Sequence, residues 1–249
     1  MTLEAIASPS PNFDARARAP DMIVLHYTGM PTGAAALARL RDPAAKVSAH
    51  WLIEEDGRKF RLVDEERRAW HAGRSFWAGE SDINGVSIGV EIANPGHEFG
   101  YRDFPEAQIA AVVSLLDAIR GRWTVPDSRI LGHSDVAPSR KQDPGERFPW
   151  ARLASAGHGV WPASAPRGSA DARGAAGADI AADLIAVGYD PALIRDRQAG
   201  TAALVAAFQR HWAPHRWDGV VDAQTSARVR AVRSAMAAGT MPARGEGEA

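Results

Sequence analysis

The sequence predicts an α/β fold, a central mixed β-sheet flanked by helices, followed by a small C-terminal three-helix domain. Three observations carry this expectation. MIVLHYT (residues 22–28) and SIGVEI (87–92) are short, β-rich apolar runs that read as buried central strands. The Asp-Gly turn in EDGR separates two strand-like segments, 50–55 and 59–63, in the manner of a β-hairpin. Helical patterns alternate with these strands, and strands, a hairpin and helices in alternation call for a sheet of mixed direction.

Taken in order, Pro31 is placed to open a helix filled by Ala34, Leu37 and Leu40. The clearest helix runs from Pro105 to Trp123, where Ile109, Val112, Val113, Leu116 and Ile119 form one stripe at the i, i+3, i+4, i+7 spacing. Residues 129–131 then form a strand that leads into ILGHSDVAPSRKQDPG. From 162 to 177 the chain reads PASAPRGSADARGAAG, a linker composition without apolar periodicity. The expected division is therefore 1–160, a linker at 161–178, and a three-helix unit at 179–240. Those helices carry Ile180, Leu184 and Ile185, then Leu204, Val205 and Phe208, then Val229, Val232 and Met236. Asp179, Thr201 and Asp222 are their expected N-caps, and Gly188 stops the first.

At 249 residues the chain suits one medium domain plus a small one. Its 45% hydrophobic and 24% charged residues are those of a soluble globular protein. The formal net charge of -1 argues against nucleic acid and anionic membrane as partners. The chain contains no cysteine, which excludes disulfides, cysteine-held zinc, Fe–S clusters and thiol nucleophiles. A transition metal would have to be held by His and carboxylate, and eight His make that affordable. No run of about 18 apolar residues is present, so no membrane span is expected. The polar start MTLEAIASPSPNFDARARAPD lacks a leader's basic-then-apolar pattern. A cytoplasmic protein is the expectation, with a periplasmic or outer-membrane-associated one as the alternative should a leader have been removed. No heptad seam appears, and a monomer is expected.

His26 sits at the end of the first strand, and His133 also follows an apolar strand. Alone, a strand-end His is usually structural. Asp143 lies ten residues after His133, across two prolines that turn the loop back. Two neutral imidazoles and one carboxylate would make a three-ligand zinc site with its fourth position open to water, which is a catalytic rather than a structural arrangement. Glu91 interrupts the apolar strand SIGVEI. The ordinary fate of Glu is to face water, but the flanking Ile88, Val90 and Ile92 suggest a strand covered on both faces. A buried carboxylate there could take a proton from the attacking water. Lys141, two residues before Asp143, would share its side of an extended segment and could stabilise an oxyanion. Asp135 is expected to brace the loop by bonding to nearby backbone.

LHYTG, SAHWLIEEDG, WHAG, SIGVEI and GHSDVAPSRKQDPG occur in that order. Together they resemble the zinc-dependent N-acetylmuramoyl-L-alanine amidases of the AmpD/AmiD type, relatives of the peptidoglycan recognition proteins, over residues 9–155. The resemblance implies His26, His133 and Asp143 as zinc ligands, Glu91 as catalytic carboxylate and Lys141 as the oxyanion group. Phage-type members carry a Tyr where this chain has Ala49, so the work falls on Glu91. His50, Trp70 and His71 match family positions and are expected near substrate, His50 as a support and His71 either touching substrate or orienting a partner. Asn94 is expected to line the groove, and Arg140 to meet a peptide carboxylate. AALVAAFQRHW and WDGVVDAQTSARV resemble the peptidoglycan-binding domain that follows the catalytic one in AmiD-type enzymes.

The implied reaction is hydrolysis of the amide between muramic acid, or its 1,6-anhydro form, and L-alanine, with peptidoglycan or anhydro-muropeptide as the partner. The rivals are a recognition protein that binds peptidoglycan without cutting it, and a zinc peptidase using the same site. His211 and His215 have zincin spacing, but Pro214 interrupts the helix and Trp212 stands where the zincin Glu belongs. RVRAVR lacks the interleaved aromatics of a nucleic-acid site.

Overall fold

The structure, a computed structural model, describes residues 4–162, 176–195 and 199–239. The first half runs β1 (Ile6–Ala7), β2 (Phe13–Ala15), β3 (Met22–Tyr27), α1 (Gly33–Arg41), β4 (Trp51–Ile53), β5 (Lys59–Arg61), β6 (Arg67–Ala69), α2 (Ile83–Val86), β7 (Ser87–Ile92) and α3 (Gly96–Phe99). It continues with α4 (Glu106–Arg120), β8 (Ile130–Gly132), α5 (His133–Val136) and α6 (Trp150–Ser155). Three longer helices follow: α7 (Ala176–Val187), α8 (Ala199–Trp212) and α9 (Ala223–Gly239).

The main sheet has the order β1-β5-β4-β7-β3-β8. β3 pairs in parallel with β7 and β8, β4 in parallel with β7, and β4 with β5 as the antiparallel hairpin around Gly57. The sheet is thus mixed, with helices on both faces. Strand periodicity sorts the residues. Ile23 and Leu25 of β3 and Ile88, Val90 and Ile92 of β7 all face α4, where Ile109, Val112, Leu116 and Ile119 meet them in one dry cluster. Ile88, Val90 and Ile92 mark one face and Ser87, Gly89 and Glu91 the other, and the strand is covered on both, as expected.

On that opposite face, Met22, Val24, Leu131 and Val136 share a core with Leu184 of α7, Leu204, Val205 and Phe208 of α8, and Val229 and Val232 of α9. The C-terminal helices thus form the second layer over the sheet, and the hydrophobic burial that holds them is continuous with the sheet's own core.

Some local expectations shift. α1 opens at Gly33, two residues after Pro31, and Thr32 caps it, its hydroxyl accepting from Ala35 N. Asp222 caps α9 through Thr225 N at 2.7 Å, but α7 begins at Ala176 and α8 at Ala199, so Asp179 and Thr201 lie inside their helices. Helix-favouring Ala on the N-terminal side extends both beyond the expected caps. The helical start at Ala176 also takes in the last residues of the expected linker 161–178, while 163–175 fall outside the described residues. No helix of the described residues is long and apolar enough to cross a membrane.

Candidate active site

Parallel strands of an open α/β sheet present their carboxyl ends to one edge, where ligands commonly bind. β3 ends in His26 and Tyr27, β7 in Glu91 and Ile92, and β8 runs directly into His133 at the start of α5. His26 and Glu91 are register partners across β3 and β7. The chain then turns: Ala137 O accepts from Lys141 N at 3.0 Å, and Ser134 N donates to Asp143 O at 2.9 Å. This closure returns Asp143 to His133.

His26 Nδ1 and His133 Nδ1 lie 2.9 Å apart, and each is 3.0 Å from Asp143 Oδ2. All three residues are buried. Burial, with the adjacent His133, lowers the His26 pKa to about 4, so its ring is neutral near pH 7. Burial opposes the ionisation of Asp143, but the flanking His133 and His26 outweigh it and hold the carboxyl well below its usual range.

Hydrogen-bond partners decide which nitrogens carry protons. The Ile83 carbonyl can only accept, so the Ser87 hydroxyl 2.5 Å away donates to it. Ser87 Oγ then accepts from His71 Nε2 at 3.2 Å, which leaves His71 Nδ1 to accept from His26 Nε2 at 3.1 Å. His26 Nδ1 is bare. In the same way His133 Nε2 donates to Ala72 O at 3.1 Å, which turns Nδ1 towards Asp143 as the nitrogen that can offer a lone pair. Two imidazole lone pairs and a carboxylate face one another with no proton to share, an arrangement that a cation reconciles. Two neutral imidazoles with one carboxylate are a donor set that suits zinc with an open coordination position. Among the described residues this is the one group of three or more such side chains whose donor atoms converge.

Room for the relay comes from Gly89 in the middle of β7, where a Cβ would stand 2.4 Å from His71 Cγ. A glycine inside a central strand, otherwise unfavourable, is explained by that ring.

The three groups open into a cavity of about 400 Å³, also lined by Tyr27, Arg39, Trp70, His71, Glu91, His97, Arg140 and Lys141. Glu91 Oε2 is buried without a hydrogen-bond partner. Burial and the nearby Asp143 push the Glu91 pKa well above the carboxylate range, with Lys141 opposing. Lys141 makes no ion pair among the described residues; a turn, rather than the expected extended segment, brings it to the cavity.

The remaining expected residues divide. Trp70 lines the cavity, its Nε1 donating to Asp14 Oδ2 at 2.7 Å. Arg140 also reaches it, but its guanidinium donates to the carbonyls of Ala72 and Arg74 and so builds the wall. His50, grouped with the residues near substrate as a support, keeps only the supporting part: it is wholly buried, accepts from Gly89 N at 2.9 Å and lies beside Arg67 O, so it braces β7. Asn94 is a correction. It is 3% exposed, donates to Arg102 O and accepts from Gly96 N, and it lines a neighbouring hollow with Pro31 and Glu54. Tyr27, His97 and Ser87 were not singled out by the sequence. Tyr27 OH lies 3.0 Å from His97 Nδ1, and no spacing joins residues 70 apart.

Residues 16–146 match the family described as N-acetylmuramoyl-L-alanine amidase. The chain belongs to the N-acetylmuramoyl-L-alanine amidase family. Among curated amidases, AmiD of Escherichia coli is 34% identical over 235 residues, 85% of this chain and 81% of that protein. The 1,6-anhydro-N-acetylmuramyl-L-alanine amidase AmpD of Citrobacter freundii is 35% identical over 60% of this chain and 88% of its own length. The solved complex of Escherichia coli AmiD with anhydro-N-acetylmuramic acid-L-Ala-D-gamma-Glu-L-Lys superposes with a TM-score of 0.77 at 32% identity, covering 89% of this chain and 92% of that one. AmpDh3 of Pseudomonas aeruginosa gives 0.76 at 34% identity, covering 87% and 92%. The match to these two amidases extends beyond the catalytic sheet, consistent with helices that share its core.

Proposed function

We propose that this amidase hydrolyses the amide joining N-acetylmuramic acid, or its 1,6-anhydro form, to L-alanine, in cell-wall recycling or turnover, with zinc held by His26, His133 and Asp143. One observation carries the reading most directly: a buried, unpartnered carboxylate oxygen, Glu91 Oε2, opens onto the same cavity as the three converging donors.

When bound, zinc would supply Lewis-acid chemistry, polarising a carbonyl and lowering the pKa of water. Glu91 accepts the proton of the attacking water. Its raised proton affinity suits this role, since a base poised nearer neutrality can also return the proton to the leaving alanine nitrogen. The Lys141 ammonium, free of ion pairs among the described residues, stands at the cavity to meet the oxyanion. Trp70 and His97 line the same cavity as the ligand set. The AmiD complex named above contains an anhydro-muramyl tripeptide, and we take that class of soluble muropeptide as the substrate to test first.

The test is digestion of purified sacculi and of anhydro-muropeptides side by side, with and without a chelator. The expected products are peptide-free glycan, or anhydro-muramic acid, and peptides beginning with L-alanine. Binding without release of either product would establish a recognition protein instead, and cleavage within the stem peptide a peptidase.

A further inference from the structure

The loop from Gly132 to Pro144 carries two of the three metal donors. Between them stands Asp135, fully buried. A buried carboxylate needs hydrogen-bond partners. Asp135 Oδ2 accepts from Gly132 N at 2.7 Å, closing the loop on itself. Its other partners come from the C-terminal helices: His211 Nδ1 of α8 lies 2.7 Å from Oδ2, and Tyr189 OH, just after α7, donates to Oδ1 at 3.1 Å.

Both partners are held firmly. The His211 ring stacks between Trp150 and Trp212, with ring centroids 3.7 Å away on each side. Tyr189 is 1% exposed and meets Trp77 edge-on at 5.0 Å. Gly188 O accepts from Ala78 N at 2.7 Å, and Trp212 Nε1 donates to Val160 O at 2.9 Å, so the backbone is pinned across the same seam. Packing and polar contacts agree: α7 and α8 form the floor beneath the ligand loop.

We propose that His211 and Tyr189 are positioning residues for the metal, which hold Asp135 and through it the loop presenting His133 and Asp143. The C-terminal helices are then part of the catalytic unit rather than a separable wall-binding attachment. This rests on reading His26, His133 and Asp143 as the metal ligands.

The test uses the full-length chain and zinc alone, with affinity measured by competition against a chromophoric chelator. His211→Phe keeps a ring between the two tryptophans but removes the donor. His211→Asn removes the ring but keeps an N–H close to the Nδ1 position. Tyr189→Phe deletes one hydroxyl. Arg233→Ala, which removes the ion pair of α9 to Asp183 of α7, a pair in which no residue of the loop takes part, controls for weakening of the helices as such. The expected result is about a 10-fold or greater loss of zinc affinity in His211→Phe, a smaller loss in Tyr189→Phe, affinity largely restored in His211→Asn, and wild-type affinity in Arg233→Ala. With zinc saturating, kcat should fall in His211→Phe with little change in KM. Thermal melts of the metal-free proteins identify any variant that fails to fold, in which case Tyr189→Phe decides. Wild-type affinity in both phenylalanine variants would overturn the proposal, as would a loss in His211→Asn equal to that in His211→Phe. A wild-type chain that does not bind zinc would instead remove the ligand reading on which it rests.

Discussion

His26 and Glu91 are direct neighbours in the parallel ladder between β3 and β7. Side chains of register partners emerge on the same face, so one ladder step sets a candidate metal ligand beside a candidate proton acceptor. The spacing is fixed by the sheet.

The two roles should therefore separate by mutation. Glu91→Gln is expected to bind zinc as tightly as the wild type while kcat falls by about 10²- to 10⁴-fold. Isothermal titration with zinc and a muropeptide rate assay measure the two quantities. A base must be ionised, so activity should disappear as pH falls through the Glu91 pKa, which burial and Asp143 raise. The acid limb of kcat/KM should thus lie above the ordinary carboxylate range of about 4. A Glu91→Gln enzyme with wild-type turnover would remove Glu91 from the mechanism.

The relay Ile83–Ser87–His71–His26 makes a second claim, about tautomers. Ser87→Ala deletes the acceptor that fixes the His71 proton, and His71→Phe deletes the acceptor for His26 Nε2. Zinc affinity is expected to drop by about 10- to 100-fold in His71→Phe and by less in Ser87→Ala. Should chelator competition find both variants unchanged, His71 merely fills space.

Gly89→Ala tests the same geometry from the backbone. The added methyl would stand 2.4 Å from His71 Cγ, in a buried strand with nowhere to retreat. Overpacking of this kind costs about 1–3 kcal/mol, visible as a lower denaturation midpoint, and the displaced ring should weaken zinc binding as well. A variant with full stability and affinity would mean the ring relocates at no cost.

A fourth prediction concerns acid stability away from the site. Burial would raise the pKa of Glu65, but hydrogen bonds from Arg122, Trp123 and Trp51 outweigh it and leave the pKa lowered. A folded pKa below the unfolded value means stabilisation that is complete above the unfolded value, about 4.3, and lost as pH falls through the folded one. The melting temperature of the wild type should decline below about pH 5. Glu65→Gln should be less stable at pH 7 by about 1–3 kcal/mol and should lose less stability on acidification. Parallel pH curves for the two proteins would contradict this.

Much of the site was legible because its residues break local rules. Glu91 interrupts an apolar run, His26 and His133 end β-rich segments, and Asp143 follows a loop bent by proline. Each is an expense that a purely structural segment would avoid. SIGVEI is covered on both faces as expected, although alternation places Ile88, Val90 and Ile92 on α4's side and Ser87, Gly89 and Glu91 on the other. His50 and Asn94 show the opposite limit. His50 was expected near substrate as a support and Asn94 in the groove by its position; burial and backbone hydrogen bonds make both supports.

By itself the sequence determined the fold class, the central strands, the candidate donor residues and the family, because each is written in local periodicity or in short motifs. Tertiary structure alone decided three things: which His nitrogens are bare, why Gly89 must be glycine, and that the C-terminal helices cover the sheet. Asp135 shows the reason. Its partner Gly132 is three residues away and could be foreseen, while Tyr189 and His211 are 54 and 76 residues away. Periodicity reports which face of an element is apolar; only packing reports what that face meets.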